Sequence, residues 1–136
     1  MACSNGKRLN LAIEWKSLNM LEPNHPGWGD TYQVIVSNPP YIPLKEKISL
    51  LQHVREYEPA TALFVPDEDP LLFYKALAAN TPAHIAQGGH LYLEINDQLG
   101  AATLQVFLTA GWKAELRKDM QGNDRMIKAS PPLQNI

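Results

Sequence analysis

Asn38-Pro39-Pro40-Tyr41 is the stretch of this sequence whose residue types and order point to chemistry. Asn38 brings a side-chain carbonyl oxygen, and Pro39 brings a backbone carbonyl on a chain stiffened by two consecutive rings. Two fixed acceptors side by side suit a planar NH2 group. Such a nitrogen is a poor nucleophile, because its lone pair is delocalised into the adjoining carbonyl or ring. Acceptors that take both hydrogens localise the pair, and both hydrogen bonds strengthen as the nitrogen becomes positive, which is the differential binding that lowers a barrier. A loop ordered beforehand also avoids an entropic cost at the moment of reaction. Tyr41 adds a flat face that could stack on the target and tolerate a nearby cation. No general base is required, since the alkylated cation is acidic and loses its proton to water. The competing reading is a rigid turn after a buried strand, because Asn-Pro and Pro-Pro are common turn dipeptides.

The elements that must carry this loop can be read around it. Tyr32 to Ser37 has a β-branched centre and runs into Asn38, so it reads as a strand that stops at the prolines. Leu11 to Trp15 is a short apolar run that fits another strand, followed by a loop from Asn19 to Asp30. Lys45 to Glu56 suggests an exposed helix. Asp69-Pro70 has the order of an N-cap and first helical residue, and predicts a helix from about Pro70 to Ala79, continued or kinked through Pro82 to Ala86. Gly88-Gly89 is expected to break that element before a buried strand, His90 to Ile95. Leu99, Ala102, Val106 and Leu108 predict a further helix that ends at Gly111. Trp112 to Met120 and Asp124 to Ala129 read as strands joined by a Gln121-Gly122-Asn123 turn. This order implies an α/β fold, mostly parallel with an antiparallel hairpin at the end, in which ligands bind beyond the carboxyl ends of the strands. Asn38 sits at such an end.

The chain has 136 residues, 45% of them hydrophobic, which is enough for one domain spanning residues 1–136. Its net charge is -2 with scattered cations, so nucleic acid is disfavoured as the main partner. The single Cys3 can form no internal disulfide and has no zinc-type spacing around it, which points to a reducing cytoplasm. No stretch approaches the length needed to cross a bilayer, so no membrane role is expected.

Other residues carry weaker signals. His25, His53, His84 and His90 are isolated and read as surface or structural. Glu94 closes a buried strand and is expected to be structural, although it could face the site. Arg55 and Glu58 could position a partner or pair with each other. Asp119, Asp124 and Arg125 read as hairpin-turn charges. Trp15, Trp28 and Trp112 are expected to fill core or cover edges. Gly27-Trp28-Gly29 follows a loop rather than a strand, which argues against a cofactor loop.

From Tyr32 to Ala129 the chain resembles the HemK/PrmC-type release factor glutamine methyltransferases. The matching segments are Ile35 to Ile42, Arg55 to Pro59, Asp69 to Tyr74, Gly88 to Ile95 and Arg117 to Met126. Asn-Pro-Pro-Tyr alone is shared with adenine-N6 and guanine-N2 methyltransferases, whereas the later segments are more specific. The resemblance implies a class I S-adenosylmethionine-dependent methyltransferase (Rossmann-like) fold of which this chain is the C-terminal portion. It implies that Asn38, Pro39, Pro40 and Tyr41 form the catalytic loop and that the target is the glutamine amide in the Gly-Gly-Gln loop of a peptide chain release factor. It further implies a donor over the carboxyl edge of the sheet, next to Asn38. Asn19 falls where the family often has an Asp that contacts the donor adenine, though a loop-capping role fits it equally.

The sequence also departs from the family. The glycine-rich donor loop and the acidic residue that holds the donor ribose are not among these residues, so donor binding is expected to be weak or absent. If Leu11 to Trp15 is the family's third strand, two strands between it and Tyr32 are missing. An open strand edge and self-association through it are then expected. The expected function is therefore release factor glutamine methylation, with this chain an inactive fragment as one form of it. A nucleic-acid amine methyltransferase or a non-catalytic release-factor-binding remnant are the alternatives.

Overall fold

The computed structural model describes residues 2–23, 25–48 and 59–132. A short helix α1 (Ala2–Arg8) leads into a long irregular segment with one 3-10 turn (Pro26–Trp28). Strand β1 (Tyr32–Ser37) follows, then β2 (Ile42–Pro43), a 3-10 turn (Leu44–Ile48), helix α2 (Ala60–Leu63) and β3 (Phe64–Val65). The remainder is α3 (Leu72–Asn80), a 3-10 turn (Pro82–His84), β4 (Ile85–Glu94), a 3-10 turn (Asp97–Leu99), α4 (Gly100–Thr109), β5 (Lys113–Lys118) and β6 (Asp124–Ser130).

The fold is α/β. Four strands form one sheet in the order β1-β4-β6-β5, with β1 parallel to β4 and the other two pairings antiparallel. β2 and β3 make a separate parallel pair. The antiparallel hairpin at the end is therefore present, turning at Gly122, whose φ is 88°.

Both long helices lie against one face of the sheet because their apolar residues recur at helical spacing. α3 buries Tyr74, Leu77 and Ala78, and α4 buries Gly100, Thr103 and Phe107. These meet Leu91 and Leu93 of β4, Ile95 just beyond it, and Ile127 and Ala129 of β6 in a single core. The end of α4 is set by Gly111, at φ 83°, as its spacing predicts. Gly111 donates its N–H to the Leu108 carbonyl and Trp112 donates to that of Phe107, each at 3.0 Å. The Trp112 ring then packs edge-on to Phe107, so a left-handed glycine, two orphan carbonyls and an apolar contact close the helix together. The Trp112 indole also donates to the Ala78 carbonyl at 3.0 Å, tying α4 to α3.

Several expected elements come out differently. Leu11 to Trp15 is not a strand: it joins no ladder among the described residues and its large apolar side chains are exposed. β4 begins at Ile85, so Gly88-Gly89 lies inside it rather than before it. The pair accommodates a bulge, since Tyr32 is opposite Ile85 while Val34 is opposite His90. Gly88 has φ 78°, and a Cβ on Gly89 would stand 2.7 Å from the Gln33 carbonyl oxygen, so both positions require glycine. α3 starts at Leu72, two residues later than expected, with Asp69 shaping the turn before it by accepting from the Leu71 N–H at 3.3 Å. Beyond α3 the chain makes a 3-10 turn and joins β4, instead of continuing as a helix to Ala86. Leu44 to Ile48 is a 3-10 turn, and the rest of the helix expected up to Glu56 lies outside the described residues, as do His53, Arg55 and Glu58.

β1 is an edge strand among the described residues, with β4 on one side only. Ile35 joins the core face, while Val34 and Val36 point to the other face and stay exposed, Val36 at 76%. No helix of the described residues is long and apolar enough to cross a membrane.

Candidate functional site

The β-branched run of β1 places Asn38 at the carboxyl end of a parallel strand, and Pro39, which has no N–H to give a ladder, stops it. Asn38 is exposed, Pro39 buried, and Pro40 and Tyr41 half-buried. Neither the Asn38 side chain nor the Pro39 carbonyl has a hydrogen-bond partner among the described residues, so both acceptors remain available. Pro39 is anchored while Asn38 is presented.

The chain is held on the far side of the bend as well. Ile42 and Pro43 pair with Phe64 and Val65, and the Lys45 N–H donates to the Asp67 carboxylate at 3.0 Å. Tyr41 is fixed at both of its polar ends. Its hydroxyl donates to Glu94 Oε1 at 2.9 Å, and its carbonyl accepts from Asn96 Nδ2 at 3.4 Å. Burial, and then the Glu94 carboxylate, hold the Tyr41 hydroxyl protonated above its ordinary range. Behind it, the Asn96 N–H donates to the hydroxyl of fully buried Tyr74 at 3.3 Å, and burial also raises the Tyr74 pKa. Glu94 is therefore part of the bend's support, which agrees with the structural role expected from sequence. Asn96 had no reading from sequence. The only local signal is its place before Asp97-Gln98, where its Oδ1 accepts from the Gln98 N–H at 2.9 Å as an N-cap.

Asn19 lies apart from this loop in sequence and is engaged in its own turn: its Oδ1 accepts from the Leu21 N–H at 3.2 Å and its Nδ2 donates to Glu22 at 3.0 Å. The segment around it is tied to α3 by Asn80, which donates to the Met20 carbonyl at 3.0 Å. Gly27 and Trp28 belong to the 3-10 turn Pro26–Trp28, with Gly29 just beyond it, and Trp28 is buried and stacked on His84 with centroids 5.1 Å apart. The turn follows no strand, and among the described residues no glycine-rich turn follows a strand in the way a nucleotide donor requires.

The remaining polar candidates have structural uses. His25 accepts from the Gly27 N–H at 2.9 Å, and His90 pairs with Ser130 at 2.9 Å. Asp119 accepts from the N–H groups of Gln121 and Asn123 and pairs with Arg125, while Asp124 pairs with Lys118. Among the described residues no three His, Cys, Asp or Glu side chains gather as metal ligands. A cavity of about 590 Å³ lies at the opposite rim of the sheet, between the first residues of β4 and Pro131-Pro132, and a smaller one lies beside Trp28. Neither is lined by Asn38 to Tyr41.

No family model matches the chain. It is 44% identical over 100 residues to a release factor glutamine methyltransferase of Flavobacterium psychrophilum, covering 73% of this chain and 35% of that protein. It is 40% identical over 103 residues to one from Bacteroides thetaiotaomicron, covering 75% and 37%. A crystal structure of a protein-(glutamine-N5) methyltransferase (release factor-specific) from Alicyclobacillus acidocaldarius aligns with a TM-score of 0.48 at 26% identity, covering 75% of this chain and 50% of that one. The chain spans about a third of the length of the curated relatives it matches.

Proposed function

We propose that this chain, which belongs to the release factor glutamine methyltransferase family, supplies the acceptor side of a site that transfers a methyl group from S-adenosylmethionine to a glutamine side-chain amide. The substrate on this reading is the glutamine of the Gly-Gly-Gln loop in a peptide chain release factor. The observation that carries it is the bend after β1, where the exposed Asn38 side chain and the Pro39 carbonyl stand unpartnered among the described residues while the loop around them is pinned.

In this reading the Asn38 oxygen takes one amide hydrogen and the Pro39 carbonyl takes the other. The nitrogen lone pair is drawn out of conjugation, and the two bonds tighten as the nitrogen becomes cationic. Tyr41 offers its ring to the flat amide. The donor, when bound, supplies the methyl group. The described residues that could hold it do not form a cradle, so the proposal for this chain concerns how the amide is bound and oriented.

The test is incubation of the 136-residue chain with a release factor and isotope-labelled S-adenosylmethionine, followed by mass spectrometry of the Gly-Gly-Gln peptide. A methylated glutamine that disappears with Asn38→Ala supports transfer by this chain. Binding of the release factor without methylation supports a second reading, a module that grips the factor without turnover, which is favoured by the lack of a glycine-rich turn after a strand among the described residues. Neither binding nor turnover would refute both.

A further inference from the structure

Ser37 of β1 lies opposite Leu93 of β4 in a parallel register, so Asn38 and Glu94 leave the ends of neighbouring strands side by side. The chain then departs in different directions, through the prolines on one side and through Ile95 and Asn96 on the other. The ladder between the two strands ends at Ser37 and Leu93, so it does not hold the chain beyond them. Two side chains bridge the gap: Tyr41 reaches Glu94 through its hydroxyl at 2.9 Å, and Asn96 reaches the Tyr41 carbonyl at 3.4 Å.

We infer that Glu94 and Asn96 are positioning residues for the Asn38-Tyr41 loop, acting together as a brace that fixes the Tyr41 ring and, through it, the acceptors at Asn38 and Pro39. This rests on the reading of that loop as the amide-holding element. Glu94 sets where the ring lies by taking the hydroxyl. Asn96 sets where the backbone lies by donating to the carbonyl, and it is itself immobilised three times, by the Tyr74 hydroxyl, by the Gln98 N–H and by the Tyr41 carbonyl. Tyr74 is wholly buried in the core, so the brace runs from the first turn of α3 to the exposed Asn38. A rigid core position is thereby transmitted to a loop that has no regular structure of its own.

The variants separate this role from a general effect on folding. Glu94→Gln keeps an oxygen for the Tyr41 hydroxyl, whereas Glu94→Ala removes it. Asn96→Asp keeps the N-cap oxygen for Gln98 but loses the donor to the Tyr41 carbonyl. Tyr41→Phe breaks the first bond from its other end and serves should Glu94→Ala fail to fold. Backbone 15N relaxation of the Asn38 and Tyr41 amides reads the brace directly, and a short peptide containing Gly-Gly-Gln is the binding probe. Order parameters at those two amides are expected to fall from about 0.85 to below about 0.6 in Glu94→Ala and Asn96→Asp, and to stay high in Glu94→Gln. Peptide affinity should drop about fivefold in the first two and recover in Glu94→Gln. Glu94→Ala combined with Tyr41→Phe should be no weaker than either alone, because both remove one interaction. Folded variants with unchanged order parameters would overturn the brace. If the unmodified chain binds no peptide, the amide-holding reading fails, and the relaxation measurement still decides whether Glu94 and Asn96 order the loop.

Discussion

Leu91, Leu93 and Ile95 alternate along and just past β4 in the same way that Leu11, Ile13 and Trp15 alternate near the amino end, yet the first three are buried and the last three are exposed, Leu91 at 0% and Ile13 at 44%. The difference lies in what surrounds them. β4 has hydrogen-bonded neighbours on both sides and two helices across one face, so its backbone groups are satisfied and its apolar side chains leave water together. The earlier run has no ladder among the described residues, and its contact with a helix is Trp15 against Gly6 of the short α1. Alternation makes a strand only where a partner strand accepts it. β1 is intermediate, since its inner edge and Ile35 are used while its outer edge, Val34 and Val36 are bare.

The largest expected effect tests this contrast directly. Leu93→Ala should cost about 3 kcal/mol in urea unfolding, because it opens a cavity in the core. Ile13→Ala, in the same kind of pattern, should cost less than about 0.5 kcal/mol. Equal costs would show that the amino-terminal run is packed in solution.

A smaller effect concerns the open edge. Val36→Lys should shift sedimentation at high protein concentration toward the monomer while changing stability by no more than about 0.5 kcal/mol. A wild-type chain that sediments as a monomer at all concentrations would show that the bare edge does not recruit a second copy.

The smallest effect is at the hairpin, where Asp119 is held below the usual carboxylate range first by the Asn123 N–H and also by Arg125 and the Gln121 N–H. A depressed folded-state pKa contributes stability above the unfolded value, about 4, and that contribution is lost as the pH falls through the lower folded value. The Gln121 and Asn123 amide signals should therefore move on acidification below about pH 4. In Asp119→Asn that step should be absent.

Signals carried within a few residues were legible in the sequence. The β-branched centre of β1 and its stop at Pro39, the left-handed Gly111 and the Gln121-Gly122-Asn123 turn all depend on local sterics, and all appear in the structure. Asn38 to Tyr41 stood out as a candidate site for the same reason, since a side-chain oxygen, two rings and an aromatic are properties of adjacent residues. Helix α4 is present too, but it turns Thr103 and Phe107 inward and leaves Ala102 and Leu108 of the expected stripe exposed. Gly88-Gly89 misled, because a glycine pair marks a break and a bulge alike, and only the register of β1 against β4 decides between them.

By itself the sequence determined the bend, the strand that leads into it and the left-handed turns at Gly111 and Gly122. Tertiary structure alone decided that Leu11 to Trp15 would go unpaired, that β1 would keep an open edge, and that Tyr41 would meet Glu94 and Asn96, more than fifty residues away along the chain. Steric preferences and turn geometry act between neighbours and are written in residue order. Which strand finds a partner, and which hydroxyl finds a carboxylate, depends on distances that exist only after the sheet has formed.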